Sequence, residues 1–182
     1  MRELSLNILD IARNGLEAGA DQIEITIEVA KETLTISIKD NGKGMDKDKA
    51  QRVQDPFVTD RTSRKVGLGI PLFKMSALMT NGEFSLSSEP GKGTLVQAVY
   101  KLDNIDRAPL GAVEDTVIAL ISERPDADYT LIYKGEADQF EFSTREIRAQ
   151  LEEVEITNAE VLMFIKEYIA NNIKIINKGA VI

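Results

Sequence analysis

Two runs of alternating apolar and polar residues constrain the fold most, namely residues 22–29 (QIEITIEV) and residues 33–39 (TLTISIK). An extended chain points successive side chains to opposite faces, so this alternation predicts strands with one buried face each. Because only three residues separate the runs, we expect the strands to pair as antiparallel neighbours. The chain is therefore predicted to contain a sheet that faces solvent on one side and needs a covering layer on the other.

A helix over residues 3–18 precedes these strands and can supply part of that layer. Leu4, Ile8 and Ile11 recur with the helical repeat and form an apolar face. A second, polar stripe recurs with the same repeat and consists of Glu3, Asn7, Asp10, Asn14 and Glu17. Taken alone, such a stripe is typical of the solvent face of an amphipathic helix.

The rest of the chain is predicted to form two segments of mixed helix and strand. Residues 46–54 favour a short helix, residues 55–67 favour a polar loop, and Pro71 suits the first turn of a helix that ends near residue 79. Further strands are expected at 83–88, 94–101, 129–134 and 138–143, and further helices at 112–123 and 157–174. A change in composition predicts a domain over 1–102, a linker over 103–111 and a small α+β domain over 112–182.

The composition excludes several classes of site and partner. The 182 residues include no cysteine and no histidine, which excludes disulfides, thiolate metal sites and a histidine general base within them. A net charge of −8 disfavours nucleic acid as a partner, because the phosphate backbone attracts basic surfaces. No uncharged apolar run approaches the roughly 18 residues that a membrane helix needs, and the charged N-terminus does not resemble a signal peptide. We expect a cytoplasmic protein without membrane binding.

Three glycine-rich turns are the main candidates for a binding site: residues 40–44 (DNGKG), residues 67–69 (GLG) and residues 91–94 (GKGT). Glycine allows backbone paths, or the close approach of a ligand, that other residues prevent. The first turn follows a predicted strand, the second opens a predicted helix, and the third joins two predicted strands. Each turn alone is typical of an ordinary loop, so the information lies in their order.

In that order, the turns and the first helix resemble the motifs of the GHKL superfamily of ATP-binding domains. This superfamily has the Bergerat fold and includes DNA gyrase, a large heat-shock chaperone, histidine kinases and MutL. Residues 9–27 (LDIARNGLEAGADQIEITI) resemble its first motif, residues 38–45 (IKDNGKGM) its second, residues 66–74 (VGLGIPLFK) its third, and residues 91–94 its fourth. The resemblance implies an α/β two-layer sandwich with helices on one face of a mixed, mainly antiparallel sheet. The small C-terminal α+β domain would follow it.

The resemblance also implies how adenine would be held. Asp40 would accept a hydrogen bond from the adenine amino group, a role that suits a carboxylate because its ionised form only accepts. Gly42 and Gly44 would let the backbone pack against the base. The hydroxyl of Thr94 would support the contact of Asp40 with the base.

The phosphates and a magnesium ion are expected at the helix that follows the second glycine turn. Gly67, Leu68 and Gly69 would offer free backbone N–H groups at the start of that helix, where the helix dipole also favours negative charge. Magnesium prefers oxygen ligands. The resemblance makes the amide oxygen of Asn14 its protein ligand, with phosphate oxygens completing the shell. The expected ligand is therefore Mg–ATP.

Asp10 decides what the site would do with ATP. At this position gyrase and MutL have a glutamate that acts as general base, whereas many histidine kinases have asparagine. The carboxylate of Asp10 is one methylene shorter than that of glutamate, and general-base catalysis depends on reach. Three activities stay open: slow or partner-stimulated hydrolysis, phosphoryl transfer to a separate protein, and non-catalytic ATP-gated regulation of a partner. A partner protein or phosphoacceptor is expected, and a homodimer is compatible with the sequence.

Overall fold

The structure is a computed structural model that describes residues 3–56, 68–180 and 182. The helices in these residues are α1 (Leu4–Glu17), α2 (Lys47–Arg52), α3 (Gly69–Met79), α4 (Val113–Glu123), α5 (Thr144–Leu151) and α6 (Ala159–Ile176). The strands are β1 (Gln22–Val29), β2 (Thr33–Asp40), β3 (Glu83–Glu89), β4 (Gly93–Lys101), β5 (Asp128–Lys134) and β6 (Gln139–Ser143). Within the described residues, no helix combines the length and the apolar character needed to cross a bilayer.

All six strands form one sheet in the order β3-β4-β2-β1-β5-β6. Neighbouring strands are antiparallel, with the exception of the parallel pair β1 and β5. In the predicted hairpin of β1 and β2, Ile25 lies opposite Ile38. The prediction of a mixed, mainly antiparallel sheet is therefore confirmed.

One face of the sheet is apolar and carries the helices. Its buried side chains include those of Ile23, Ile25, Ile27, Leu34, Ile36, Ile38, Val96, Ala98, Tyr100, Tyr129, Leu131 and Tyr133. Alternate residues of the same strands, such as Glu24, Glu28 and Lys39, are exposed on the opposite face. Helices α1, α3, α4 and α6 pack together or against the sheet, so the core lies between one layer of helices and one sheet. This arrangement is the predicted two-layer sandwich.

The C-terminal segment contributes to the same sheet and the same core. Strand β5 pairs in parallel with β1 from Gln22 opposite Asp128 to Glu28 opposite Lys134. Helix α4 packs against α1, and the side chains of both segments belong to one apolar cluster. The change in composition between residues 1–102 and 112–182 is a feature of the sequence. In the structure, one sheet and one core include residues from both segments. Helix α5 was not predicted, because its eight residues include only two large apolar side chains, Ile147 and Leu151.

Tyr129 joins the C-terminal strand β5 to the end of α4. Its side chain is buried, and its hydroxyl lies 2.9 Å from the carbonyl oxygen of Leu120 and 3.0 Å from that of Arg124, donating to both. The carbonyl oxygen of Leu120 also accepts from the N–H of Arg124, and the carbonyl oxygen of Arg124 also accepts from the N–H of Ala127. Burial raises the pKa of Tyr129 to about 12, so the hydroxyl remains a donor at neutral pH.

We expect Tyr129→Phe to lower the free energy of unfolding by about 0.5–1.5 kcal/mol, because it removes a buried side-chain donor from two carbonyls that keep their backbone donors. Urea unfolding followed by circular dichroism would measure this loss. Tyr168→Phe is the matched control, since Tyr168 is 42% exposed and its hydroxyl has no hydrogen bond to any described residue. Equal stability of both variants would contradict the assigned contact.

Candidate nucleotide site

Asp40 lies at the end of β2, directly under α1. A Cβ atom added to Gly15 would lie 2.8 Å from the Cβ of Asp40 and 2.9 Å from Cδ1 of Ile23. Helix α1 therefore passes so close to the strand end that only glycine fits. Gly15 is not among the site residues predicted from the sequence. The sequence does contain an indication of this contact, because Gly15 follows Asn14 inside the predicted helix of the first motif. A glycine in a helix interior lowers helix stability, so its presence there suggests close packing against another element.

The carboxylate of Asp40 is half-buried and only partly satisfied by the protein. The backbone N–H of Gly42 donates to Oδ1 at 2.9 Å. Burial raises the pKa of Asp40, while the backbone N–H groups of Gly42 and Thr94 act in the opposite direction. An ionised carboxylate can accept about four hydrogen bonds. Asp40 therefore keeps acceptor capacity in a partly desolvated position.

The first glycine turn is fixed against the β3–β4 hairpin. Gly44 has a φ of +63°, and a Cβ atom there would lie 2.0 Å from the carbonyl oxygen of Glu89. The N–H of Met45 donates to Oγ of Ser88 at 2.8 Å, and the N–H of Gly91 donates to the carbonyl oxygen of Lys43 at 2.8 Å. These two hydrogen bonds and the close contact at Gly44 fix the backbone of the turn below the end of α1.

Thr94 lies beside Asp40 in the sheet. The two residues are paired in the register of β2 and β4, so their side chains point to the same, helix-covered face. The hydroxyl of Thr94 lies 2.9 Å from that of Ser88. Ser88 was not predicted as a site residue, although it connects the hydroxyl of Thr94 to the turn through its bond from Met45. Gly42 is buried at the same place, with its added Cβ 3.1 Å from Ala18 and from Oδ1 of Asp40.

The start of α3 packs against α1. The contact lies about one turn closer to the N-terminus of α1 than Gly15 does. A Cβ atom at Gly69 would lie 3.0 Å from the Cβ of Asp10 and 3.7 Å from Nδ2 of Asn14. Leu68 precedes the helix, is 52% exposed, and makes no side-chain cap hydrogen bond. The first N–H groups of α3 are thus available to an anion. Gly67, which was predicted to join them, lies outside the described residues.

The polar stripe of α1 is not a uniform solvent face. Asp10 and Asn14 are half-buried, Glu17 is exposed, and Asn7 is only 1% exposed. The Oδ1 atom of Asn7 has no hydrogen-bond partner in the described part of the chain. The interpretation of the stripe as a solvated face is therefore wrong at Asn7, because tertiary packing covers this side of the helix.

With the described residues alone, a divalent cation at this site would need further ligands, such as phosphate or water oxygens. No group of three or more Asp, Glu, His or Cys side chains in residues 3–56 and 68–180 is arranged to hold a metal ion. Asn14 and Asp10 are adjacent oxygen donors beside the start of α3. Such a donor set fits magnesium, which keeps several water or phosphate oxygens and takes few ligands from the protein.

Comparisons with known proteins show which family and which relatives this sequence resembles. A family model described as "Histidine kinase-, DNA gyrase B-, and HSP90-like ATPase" matches residues 1–104. Sporulation kinase C of Bacillus subtilis is 33% identical over 102 residues, which cover 55% of this chain and 24% of the kinase. Sensor protein kinase FleS of Pseudomonas aeruginosa is 31% identical over 110 residues, covering 59% of this chain and 27% of FleS. The chain thus spans about a quarter of the length of these two relatives.

A solved structure supports the fold. The N-terminal domain of a DNA repair protein superposes with a TM-score of 0.53 at 15% identity, covering 78% of this chain and 52% of that chain. This share exceeds that of the family match, so the likeness in fold extends into the C-terminal segment. Because the family model covers more than half of the sequence, the chain belongs to the family of histidine kinase-, DNA gyrase B- and HSP90-like ATPases.

Proposed function

We propose that this protein binds Mg–ATP along α1 and either hydrolyses it slowly or transfers its phosphoryl group to a separate protein. The observation that carries the proposal is the order of groups on one helix. Asp40 packs at Gly15, and Asp10 and Asn14 pack at the start of α3. The six residues from Asp10 to Gly15 span about 7.5 Å of helix. A hydrogen-bond acceptor for adenine, Asp40, therefore lies beside hydrogen-bond donors for phosphates, the N–H groups at the start of α3. One extended nucleotide requires this arrangement.

Each group has a role that follows from its surroundings. Asp40, with one oxygen held by the N–H of Gly42, would accept from the adenine amino group. The free N–H groups at the start of α3 would donate to phosphate oxygens. Asn14 would hold magnesium, which when bound neutralises phosphate charge. Thr94 and Ser88 would fix the position of Asp40 and of the turn.

The kinase form of the proposal is supported by the names of the relatives. Both sporulation kinase C and FleS are described as kinases, and each match covers more than half of this chain. Phosphoryl transfer depends mainly on positioning and on charge stabilisation, which the same groups provide. Since none of the 182 residues is histidine, a histidine acceptor would lie outside them.

A second candidate is an ATP-gated regulatory module that binds a partner without chemistry. The observation that favours it is the short side chain of Asp10, at the position where gyrase and MutL have glutamate. A carboxylate that is one methylene shorter stops about 1 Å short of the reach that glutamate has toward an attacking water. In this candidate, ATP would act by ordering a partner surface.

Phosphate release from Mg–ATP by the purified chain tests the proposal. We expect ATP binding by calorimetry and turnover slower than about 1 s⁻¹, the low end for enzymes. Asn14→Ala should remove the turnover, which also controls for contaminating ATPases. Asp10→Asn should lower phosphate release while ATP affinity changes by less than about threefold.

The outcomes separate the candidates. Turnover that Asn14→Ala and Asp10→Asn both remove makes the protein an ATPase with Asp10 as its base. Binding without turnover leaves transfer to a partner or ATP-gated regulation, and labelled γ-phosphate on an added protein then identifies a kinase. Absence of ATP binding at millimolar Mg–ATP would overturn the proposed function.

A further inference from the structure

A groove with an apolar floor lies between the last two helices of the chain. It has a volume of about 250 Å³, and we call it the α5–α6 groove after its lining residues: Ile147, Gln150, Leu151, Glu160, Val161 and Phe164. Helix α5 packs mainly against β5, whereas α6 packs mainly against α4 and β6, so a space remains between the two helices. Phe164 is 58% exposed at its edge. The groove therefore presents apolar surface to solvent.

The rim of this groove is acidic. Residues 144–167 include six exposed glutamates: Glu146, Glu152, Glu153, Glu155, Glu160 and Glu167. Glu160 lines the groove itself, Glu152 directly follows Leu151, and Glu146 lies one helical turn before Gln150. Within the described residues, none of the six forms an ion pair. Negative charge thus surrounds the apolar floor.

The basic residues of the same segment do not neutralise the rim, because each is paired with an aspartate elsewhere. Arg145 and Arg148 both bind the carboxylate of Asp128 on β5. The ammonium group of Lys166 lies 2.6 Å from the carboxylate of Asp115 on α4. No other lysine or arginine occurs in residues 144–167. The negative charge of the rim is therefore available to a ligand.

The segment between the two helices adds a second cost to the fold. Glu152 has a φ of +51°, a backbone conformation that is unfavourable for a residue with a side chain. Glu153 and Glu155 follow it closely, and like charges at such spacing repel each other. Local features that lower stability are expected where a surface has a function. A ligand that carries positive charge would relieve the repulsion.

We propose that the α5–α6 groove binds a basic amphipathic helix of a partner protein. Apolar side chains of that helix would enter the groove between Leu151 and Phe164, and its lysine or arginine side chains would face the glutamates of the rim. Amphipathic helices bind hydrophobic grooves in this way, with apolar anchors at helical spacing. The same rim repels nucleic acid and anionic lipid surfaces, which both need basic protein surfaces. A basic helix fits both the charge and the apolar floor.

The inference goes beyond the proposed function and does not depend on it. The groove belongs to the segment that follows residue 104, where the family match ends. None of its lining residues is part of the nucleotide site. Its test is therefore a binding measurement without ATP.

Fluorescence anisotropy with a labelled synthetic peptide tests the proposal. The peptide contains only leucine and lysine, has about 18 residues because shorter isolated helices are marginal, and places its leucines on one helical face. A control peptide has the same composition, with leucines distributed around the helix. We expect a dissociation constant below about 100 micromolar for the first peptide, and binding at least about tenfold weaker for the control.

Phe164→Ala tests the apolar floor, with Met163→Ala as its matched control. Met163 is 63% exposed on the same helix but does not line the groove. Phe164→Ala should weaken peptide binding at least about tenfold, because aromatic anchors contribute most at such contacts. Met163→Ala should change it by less than about twofold.

Two double variants test the rim at equal loss of charge. Glu153→Gln with Glu160→Gln removes two charges at the groove, whereas Glu24→Gln with Glu28→Gln removes two charges from the solvent face of β1. General attraction to an acidic protein would fall equally in both. We expect the groove variant to bind the first peptide at least about fivefold more weakly at low salt, and the β1 variant to change by less than about twofold. All four glutamates are exposed, so circular dichroism should show an intact fold.

Three results would each overturn the proposal. The first is no binding of the amphipathic peptide at about 1 mM, the limit of a measurable complex. The second is equal binding of both peptides. The third is an equal loss of affinity in a groove variant and in its matched control.

Discussion

Asp40→Asn is expected to weaken ATP binding by about 10- to 100-fold, because one charge-assisted hydrogen bond to a buried carboxylate contributes about 1.5–3 kcal/mol. The N–H of Gly42 occupies Oδ1 of Asp40 and would keep the amide oxygen of the new residue. The NH₂ group would then face the adenine amino group, and two donors would meet. The same NH₂ group can donate to the O6 carbonyl of hypoxanthine, so the variant should lose its preference for ATP over ITP.

Calorimetric titration with Mg–ATP and Mg–ITP measures both effects. Lys39→Gln is the control, since Lys39 precedes Asp40 on β2 but lies on the solvent face of the sheet. It should bind ATP like the wild-type chain. Unchanged ATP affinity in Asp40→Asn would contradict the role of Asp40 as the adenine reader.

The same variant should be at least as stable as the wild-type chain at neutral pH. Burial raises the pKa of Asp40 above 3.8, so the folded state binds a proton more tightly than the unfolded state. Such a group stabilises the fold below its unfolded pKa, and this stabilisation is lost as pH rises through the folded pKa. Asparagine does not titrate, so the stability of Asp40→Asn relative to wild type should increase as pH rises through that window. A binding residue that costs stability is expected at a functional site.

Gly93→Ala is expected to lower the free energy of unfolding by more than about 3 kcal/mol. Gly93 has a φ of +92°, and an added Cβ atom would lie 1.9 Å from the carbonyl oxygen of Asp40 and 2.8 Å from Cα of Asn41. Both contacts are with backbone, so β4 would have to move away from β2. This movement would occur at the register pair of Asp40 and Thr94, and ATP affinity should fall with stability.

Gly91→Ala separates steric overlap from backbone conformation. Gly91 also has a positive φ, +77°, but a Cβ atom there would have no neighbour within 4 Å among the described residues. Its variant should lose only about 1–2 kcal/mol, the ordinary cost of a left-handed alanine. Urea unfolding of the two variants in parallel gives the comparison. Similar losses in both would show that the contact with Asp40 is not rigid.

The local part of the fold could be predicted from the sequence because it depends on periodicity. Alternation gave β1 and β2 with their buried faces, and the glycine turns were found at the end of β2 and at the start of α3. The order of motifs also indicated that Asp10 and Asn14 share a site with Gly69, and the structure places these three residues together. Asp10 and Asn14 are neighbours on one helix, whereas their proximity to Gly69 followed from the family resemblance and not from periodicity.

What could not be predicted depends on contacts between distant segments. Alternation in β5 shows which of its side chains are buried, but it does not say that the neighbouring strand is β1. The close packing at Gly15 required the distance between α1 and Asp40. Asn7 has the polarity of a surface residue and is buried only because of what packs beside α1. In each case the strand pairing or the burial depends on a neighbouring residue that is distant in the sequence.

The parallel pairing of β1 with β5 has a consequence for synthesis on the ribosome. About a hundred residues separate the two strands, which takes on the order of ten seconds at about 5–20 residues per second. During that time β1 can pair with β2, but its other edge has no strand to pair with. Open strand edges invite pairing with other nascent chains, and charged side chains on the strand discourage it. Glu24 and Glu28 point away from the core. Their charges thus disfavour pairing of this open edge with other chains until β5 has been synthesised.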